Sequence, residues 1–134
     1  MEVEIIKFDD LGRGIAYLNN KIVFVDKALP NEIVDIEIIK EKSKFSYGKI
    51  KRIIKKSNNR IESICPFYHL CGGCDFLHTN YDIEKDFKMN KAKELLNRCD
   101  DFYETKNINY RNKVILHVKD NKIGYYKEKT NQLV

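Results

Sequence analysis

The stretch "GRGIAYLNNKIVFVDKALPNEIVDIEI", residues 12–38, decides how the first part of this chain folds. It consists of short alternating runs, each closed by turn residues. "IAYL" (15–18) ends at Asn19-Asn20, a pair that tolerates the left-handed region and fits a two-residue hairpin turn. "KIVFVD" (21–26) pairs back, and "ALPNE" (28–32) turns again, with Pro30 presetting φ. Val34, Ile36 and Ile38 then alternate with Asp35 and Glu37, the period of a half-buried strand. Upstream, "VEIIKF" (3–8) reads as an opening strand, and "DDLGRG" (9–14) as a turn whose two glycines can take positive φ. Downstream, "FSYGKIKRII" (45–54) is the last strand, with Gly48 at a bulge or bend. The reading is mainly β: a five-stranded OB-like barrel over residues 1–56. A three-stranded sheet with an appended hairpin is the alternative. The barrel is preferred because so small a piece must use both faces and protect its edges.

Charge is distributed unevenly along the 134 residues. Residues 1–39 hold four basic and eight acidic residues, whereas residues 40–60, "KEKSKFSYGKIKRIIKKSNNR", hold nine basic residues and one acid. Residues 61–134 are near balance, with twelve basic and eleven acidic. The net charge of +5 therefore comes from one 21-residue segment, and a polyanion is the natural partner. Aromatic rings interleave with the cations there, as single-strand binding surfaces require. The candidate nucleic-acid-contacting residues are Lys40, Lys42, Lys44, Phe45, Tyr47, Lys49, Lys51 and Arg52. Phe45 and Tyr47 can stack on bases if they share a strand face; core packing is the competing role. A solvated lysine-rich strand is the plainer reading of the whole segment.

"KSNNRIES" (56–63) reads as a linker, and the Cys-rich loop lies within residues 57–80. A helix is predicted over 79–98, opened by a capping-box-like Thr79 and Asp82. Its apolar stripe is imperfect: Ile83 and Phe87 align, while Ala92, Leu95 and Leu96 drift around the cylinder. Two β-like runs, 112–119 and 122–127, flank a turn at Asp120-Asn121. Residues 81–134 thus read as a helix plus the β-hairpin opening of an α+β domain. No run of about 18 apolar residues is present, and "MEVEIIKFDD" lacks the features of a signal peptide. A monomeric cytoplasmic protein with reduced thiols is expected.

"CPFYHLCGGCDFLH", residues 65–78, spaces its thiols as Cys65-x5-Cys71-x2-Cys74. Two thiolates reach one centre across a tight turn, and Gly72-Gly73 supplies the backbone freedom. Three thiols this close chelate metal before they stay free, which argues against a catalytic nucleophile. A redox "CGGC" would need a βαβ context that is missing. Zinc would be completed by His78, with His69 or Cys99 as substitutes; an iron–sulfur cluster would want a fourth thiolate. Spacing alone leaves both open.

Three motifs together resemble one family. Residues 12–38 resemble a TRAM domain, an OB-like RNA-binding barrel. "CPFYHLCGGCDFLHTNY" (65–81) is similar to the iron–sulfur motif of the S-adenosylmethionine-dependent RNA uracil-5 methyltransferases. "YRNKVILHV" (110–118) and "IGYYKEKTNQLV" (123–134) resemble the opening of that family's central domain. The 23S rRNA branch is the better match, because a TRAM barrel followed by this loop is its usual arrangement. The resemblance implies that Cys65, Cys71 and Cys74 hold a [4Fe–4S] cluster, with a fourth cysteine shortly after residue 134. It implies 23S rRNA as partner, and Tyr110, Arg111 and Asn112 as a second RNA patch. It also implies that the S-adenosylmethionine site, the cysteine that adds to C6 of uracil and the proton-removing carboxylate lie outside these residues. The rival reading is a stand-alone RNA-binding module with a zinc Cys3His site.

Overall fold

The computed structural model describes residues 1–134, which divide into two compact units, Met1–Arg60 and Ile61–Val134. In the first unit, one sheet contains β1 (Glu2–Glu4), β2 (Lys7–Phe8), β3 (Gly14–Leu18), β4 (Lys21–Val25), β5 (Ile33–Glu41) and β6 (Phe45–Lys55). Their spatial order is β1-β5-β6-β4-β3-β2, antiparallel throughout except for the parallel β4–β6 pair.

The expected five strands are six, and the difference has a physical cause. The predicted strand 3–8 is bent at Ile5-Ile6, so its first half pairs with β5 and its second half with β3. The bend stays hydrogen-bonded: Ile5 N–H donates to the Glu32 carbonyl (2.9 Å) and Ile6 N–H to the Ile15 carbonyl (2.8 Å). One bent segment therefore joins the two edges of the curled sheet and gives it a barrel-like form, which leaves little edge open to foreign strands. Gly14 permits the bend. A Cβ at this position would lie 2.7 Å from Ile5 Cγ2 and 2.8 Å from Ala28 Cβ. Of the two turn glycines, only Gly12 takes positive φ (77°); Gly14 is required for close packing instead.

The interior is formed by Val3, Ile5, Ala16, Val23, Val25, Ala28, Val34 and Ile36. Asn19 and Asn20 take φ of 50° and 62°, as the β3–β4 hairpin requires. Pro30 and Asn31 (φ 67°) make the turn before β5. Gly48 faces inward, where a Cβ would meet Ile36 Cδ1 at 3.0 Å and Val23 Cγ1 at 3.2 Å. The β5 register slips between Ile38 and Lys40, opposite Gly48 and Tyr47, so the expected irregularity falls here.

One interaction was invisible to pattern reading. Glu32 is fully buried, and its carboxylate accepts hydrogen bonds from the Leu29 and Ser57 amides and from the Arg60 guanidinium. Arg60 also donates to the Lys27 carbonyl at 2.7 Å. Part of the expected linker is thereby fastened to the barrel by a buried ion pair.

The second unit contains α1 (Tyr81–Leu96), β7 (His117–Lys119) and β8 (Lys122–Gly124). The helix cap is Asn80 rather than Thr79: Asn80 Oδ1 accepts from Ile83 N–H, while Thr79 is buried. The imperfect apolar stripe has a direct consequence, for α1 buries none of its residues. Ion pairs such as Lys88–Glu84 and Lys85–Asp82 line it. The two β runs are shorter than expected. Residues 112–116 and 125–127 lie outside the hairpin, although Asp120 and Asn121 make the predicted turn with φ of 50° and 57°.

Candidate nucleic-acid interface and cysteine loop

Strand alternation sends Gly14, Ala16, Val23, Val25, Ser46 and Gly48 inward. Ile15, Tyr17, Ile22, Phe24, Phe45 and Tyr47 therefore face outward on three adjacent strands. Register assembles them into two rows, Tyr17–Ile22–Phe45 and Ile15–Phe24–Tyr47–Lys40. Three rings touch: Phe24–Phe45 centroids lie 5.6 Å apart, Phe24–Tyr47 5.8 Å and Phe45–Tyr47 5.5 Å. Phe45 and Tyr47 thus share one face, half-buried and outside the core.

Arg13 lies over this cluster, its guanidinium carbon 4.6 Å from the Phe24 ring centre and 5.5 Å from that of Tyr47. Asp9 holds it by an ion pair at 2.5 Å and also accepts from the Leu11 and Arg13 amides. Partial burial works against the Arg13 charge, but Asp9 and the Tyr47 hydroxyl outweigh it and raise the pKa above its usual value. Arg13, Tyr17 and Phe24 were not among the residues expected here. Tyr17 and Phe24 become visible once β3 and β4 are aligned with β6; Arg13 shows no such signal.

The expected basic residues separate into two groups. Lys40, Lys42 and Lys44 are exposed at the β5–β6 turn, beside Phe45. Lys49 lies across from Glu37, and Arg52 across from Asp35. Asp35 bonds the N-terminal ammonium at 2.6 Å, and that bond, aided by the charges of Lys51 and Arg52, holds its pKa below the usual carboxylate value. Antiparallel pairing thus sets acidic β5 against the second half of β6.

The cysteine loop belongs to the second unit. Backbone bonds fasten it to residues 126–128: Gly72 N–H donates to the Tyr126 carbonyl (3.1 Å), and Glu128 N–H to the Leu70 carbonyl (3.0 Å). A Cβ at position 72 would sit 3.2 Å from Glu128 Cα, so Gly72 permits this approach. Gly73 N–H donates to Cys71 Sγ at 3.3 Å. Burial, with the neighbouring Cys71 and Cys65 charges, pushes the Cys74 thiol up, while Arg111 pulls it down. The three thiols are therefore electrostatic neighbours, yet no three His, Cys, Asp or Glu side chains are arranged to hold a metal ion. His78 is no part of such a set. It is buried, its Nδ1 bonds the Tyr68 hydroxyl, and its ring stacks on that of Tyr68 at 5.6 Å.

Tyr110, Arg111 and Asn112 are exposed in irregular backbone. The Tyr110 side chain bonds Arg111 and raises its pKa, with the Cys74 charge adding to the effect. Arg111, a candidate RNA contact, therefore lies near enough to Cys74 for their charges to interact.

The TRAM domain family matches residues 1–51. The chain is 45% identical over 96 residues to the 23S rRNA (uracil(1939)-C(5))-methyltransferase RlmD of Vibrio parahaemolyticus, covering 72% of this chain and 22% of that protein. It is 36% identical over 148 aligned positions to an uncharacterized RNA methyltransferase of Clostridium acetobutylicum, covering 99% of this chain and 32% of that protein. Residues 1–51 are thus a TRAM domain, and nearly the whole chain is similar to part of an RNA methyltransferase. It spans between about a fifth and a third of the length of these curated relatives. The Pyrococcus abyssi tRNA (uracil-54, C5)-methyltransferase, solved with S-adenosyl-L-homocysteine, shares the fold with a TM-score of 0.73 at 24% identity, over 98% of this chain and 30% of that one. The TRAM barrel and the cysteine loop are both within the span of the Clostridium match.

Proposed function

We propose that this chain captures RNA for a S-adenosylmethionine-dependent uracil-5 methyltransferase acting on 23S rRNA. The observation that carries the reading is the Clostridium match over 99% of the chain, reinforced by the 45% identity to RlmD. The outward aromatic rows beside Lys40, Lys42 and Lys44 supply what single-strand binding needs: rings for bases and cations for phosphates. Tyr110, Arg111 and Asn112 form the second contact. Methyl transfer belongs to sequence outside these residues, where the methyl donor is bound.

Cys65, Cys71 and Cys74 are proposed as three of four thiolate ligands of a [4Fe–4S] cluster, with the last following residue 134. The donor chemistry is that of such a group, since all three are thiols within ten residues and a glycine amide already donates to Cys71 sulfur, although their side chains are not gathered around one centre here. The cluster would serve as a structural staple. Residues 132–134 run back along 125–127, with Val134 N–H bonded to the Tyr125 carbonyl, and Lys127 is bridged to Cys71. His78 is gathered with no set of cysteines that could hold a metal, so the zinc Cys3His alternative is not favoured.

The test uses the full-length protein purified without oxygen. Iron and acid-labile sulfide are expected in equal amounts and lost in Cys71→Ser. In parallel, 23S rRNA lacking the modification should gain a methyl group at C5 of a uridine. Zinc without sulfide would overturn the cluster, and absence of methyl transfer to any RNA would overturn the enzyme reading.

A further inference from the structure

We infer that Arg13 and Phe24, with the shallow concavity beside them, form a subsite for one unpaired nucleobase; this rests on the RNA-binding reading of the TRAM barrel. The concavity is lined by apolar Phe8, Leu11, Ile15 and Phe24, by the cations Lys7 and Arg13, and by the carboxylates Asp9 and Asp10. Its apolar surface is aromatic and aliphatic, and its two cations are balanced by two carboxylates. The Arg13 guanidinium lies over Phe24 and is held there by Asp9. A guanidinium fixed in this way needs no ordering when a ligand arrives, and it offers bases a stacking surface as aromatic rings do. A base on Arg13 would extend the series from Tyr47 through Phe24. Next to it, Phe45, Ile22 and the exposed Tyr17 continue the surface across three strands.

Charge argues for a nucleic acid rather than a protein on this face. Lys40, across from Tyr47, stands at one end of the longer row, and Lys7, across from Ile15, at the other. Cations at both ends of a row of rings match a strand that presents bases between phosphates. Asp9 is committed to Arg13 and two backbone amides, so Arg13 serves as a stacking plane, and Lys7 and Lys40 at the ends of the row are the cations for phosphates.

The experiment measures binding of the 134-residue chain to a single-stranded RNA of about ten nucleotides, and to an abasic ribose-phosphate strand of equal length. Three variants are compared: Arg13→Lys, which keeps charge and removes the planar fork; Phe24→Leu, which keeps apolar bulk; and Tyr17→Ser, which changes an exposed ring. Thermal melts check that each is folded. Arg13→Lys and Phe24→Leu are expected to weaken binding of the base-bearing strand by roughly 5- to 100-fold. The salt dependence should stay unchanged, with little effect on the abasic strand. Tyr17→Ser, which leaves the Asp9–Arg13 contact intact, should weaken base-bearing RNA less but in the same selective way. Equal losses on both strands, or wild-type affinity in folded Arg13→Lys and Phe24→Leu, would overturn the subsite while leaving RNA capture by the lysines in place. Failure of the wild-type chain to bind either strand would instead sink the RNA-binding reading.

Discussion

The two units fold by different means. In Met1–Arg60, nine buried apolar residues come from four of the six strands and the segments between them, and a largely buried ion pair closes the end. In Ile61–Val134, the buried apolar residue is Tyr68 alone, and a sixteen-residue helix buries nothing. Tyr103, Leu95 and Val118 are each at least 70% exposed. The first unit is therefore held by its interior. The second is held by backbone stitching around the cysteine loop, by capping, and by helix-surface ion pairs, each of small worth in water. Apolar burial contributes stability in proportion to area removed from water, so the barrel should dominate any unfolding measurement.

The largest expected effect lies in the buried pair. Arg60→Ala strands the Glu32 charge and should cost about 3–5 kcal/mol in denaturant melts. A loss under 1 kcal/mol would mean that water reaches Glu32 and that the barrel end is open. Next comes the contrast between interiors. Ile36→Ala should cost about 2–5 kcal/mol, whereas Leu95→Ala, 70% exposed on α1, should stay within about 0.5 kcal/mol. Comparable losses at both positions would erase the distinction between the units.

The basic segment sharpens the comparison on the binding side. Replacing Lys40, Lys42 and Lys44 by Gln should lower the log–log salt slope for single-stranded RNA by up to about 2, at about 0.7 per phosphate. The same change at Lys49, Lys51 and Arg52 should do less, because Glu37 and Asp35 face them. Equal slopes from both triples would show that the β5 carboxylates do not matter. The smallest effect is acid–base. Asp35 titrates below the usual carboxylate value because the N-terminal ammonium bonds it. Its contribution to stability is present above its unfolded pKa and is lost as pH falls through the folded one. Acetylating the N-terminus should move its NMR titration midpoint upward, toward the ordinary carboxylate value.

Much of the barrel was legible because local chemistry and tertiary demand agree there. Asn19-Asn20 suits its hairpin, Val34, Ile36 and Ile38 alternate as one face of β5, and Gly48 marks an irregular register. The bend at Ile5-Ile6 was not legible, since nothing in "VEIIKF" differs from a straight strand; only its two partners force it. The cap moved from Thr79 to Asn80 because both residue types cap well and burial of Thr79 decided between them. Phe45 and Tyr47 were found through their own strand, but Phe24 and Arg13 come from elsewhere in the chain.

By itself, the sequence determined the strand and turn pattern of the first unit, the cysteine spacing, the position of the helix and the existence of a basic segment. These are local properties, written in periods of two, in turn residues and in short intervals. Tertiary structure decided which cations face carboxylates, which rings form one surface, and that Glu32 meets Arg60 across 28 residues. Strand register sets those outcomes, and register follows from how the curled sheet fills its interior rather than from any one segment.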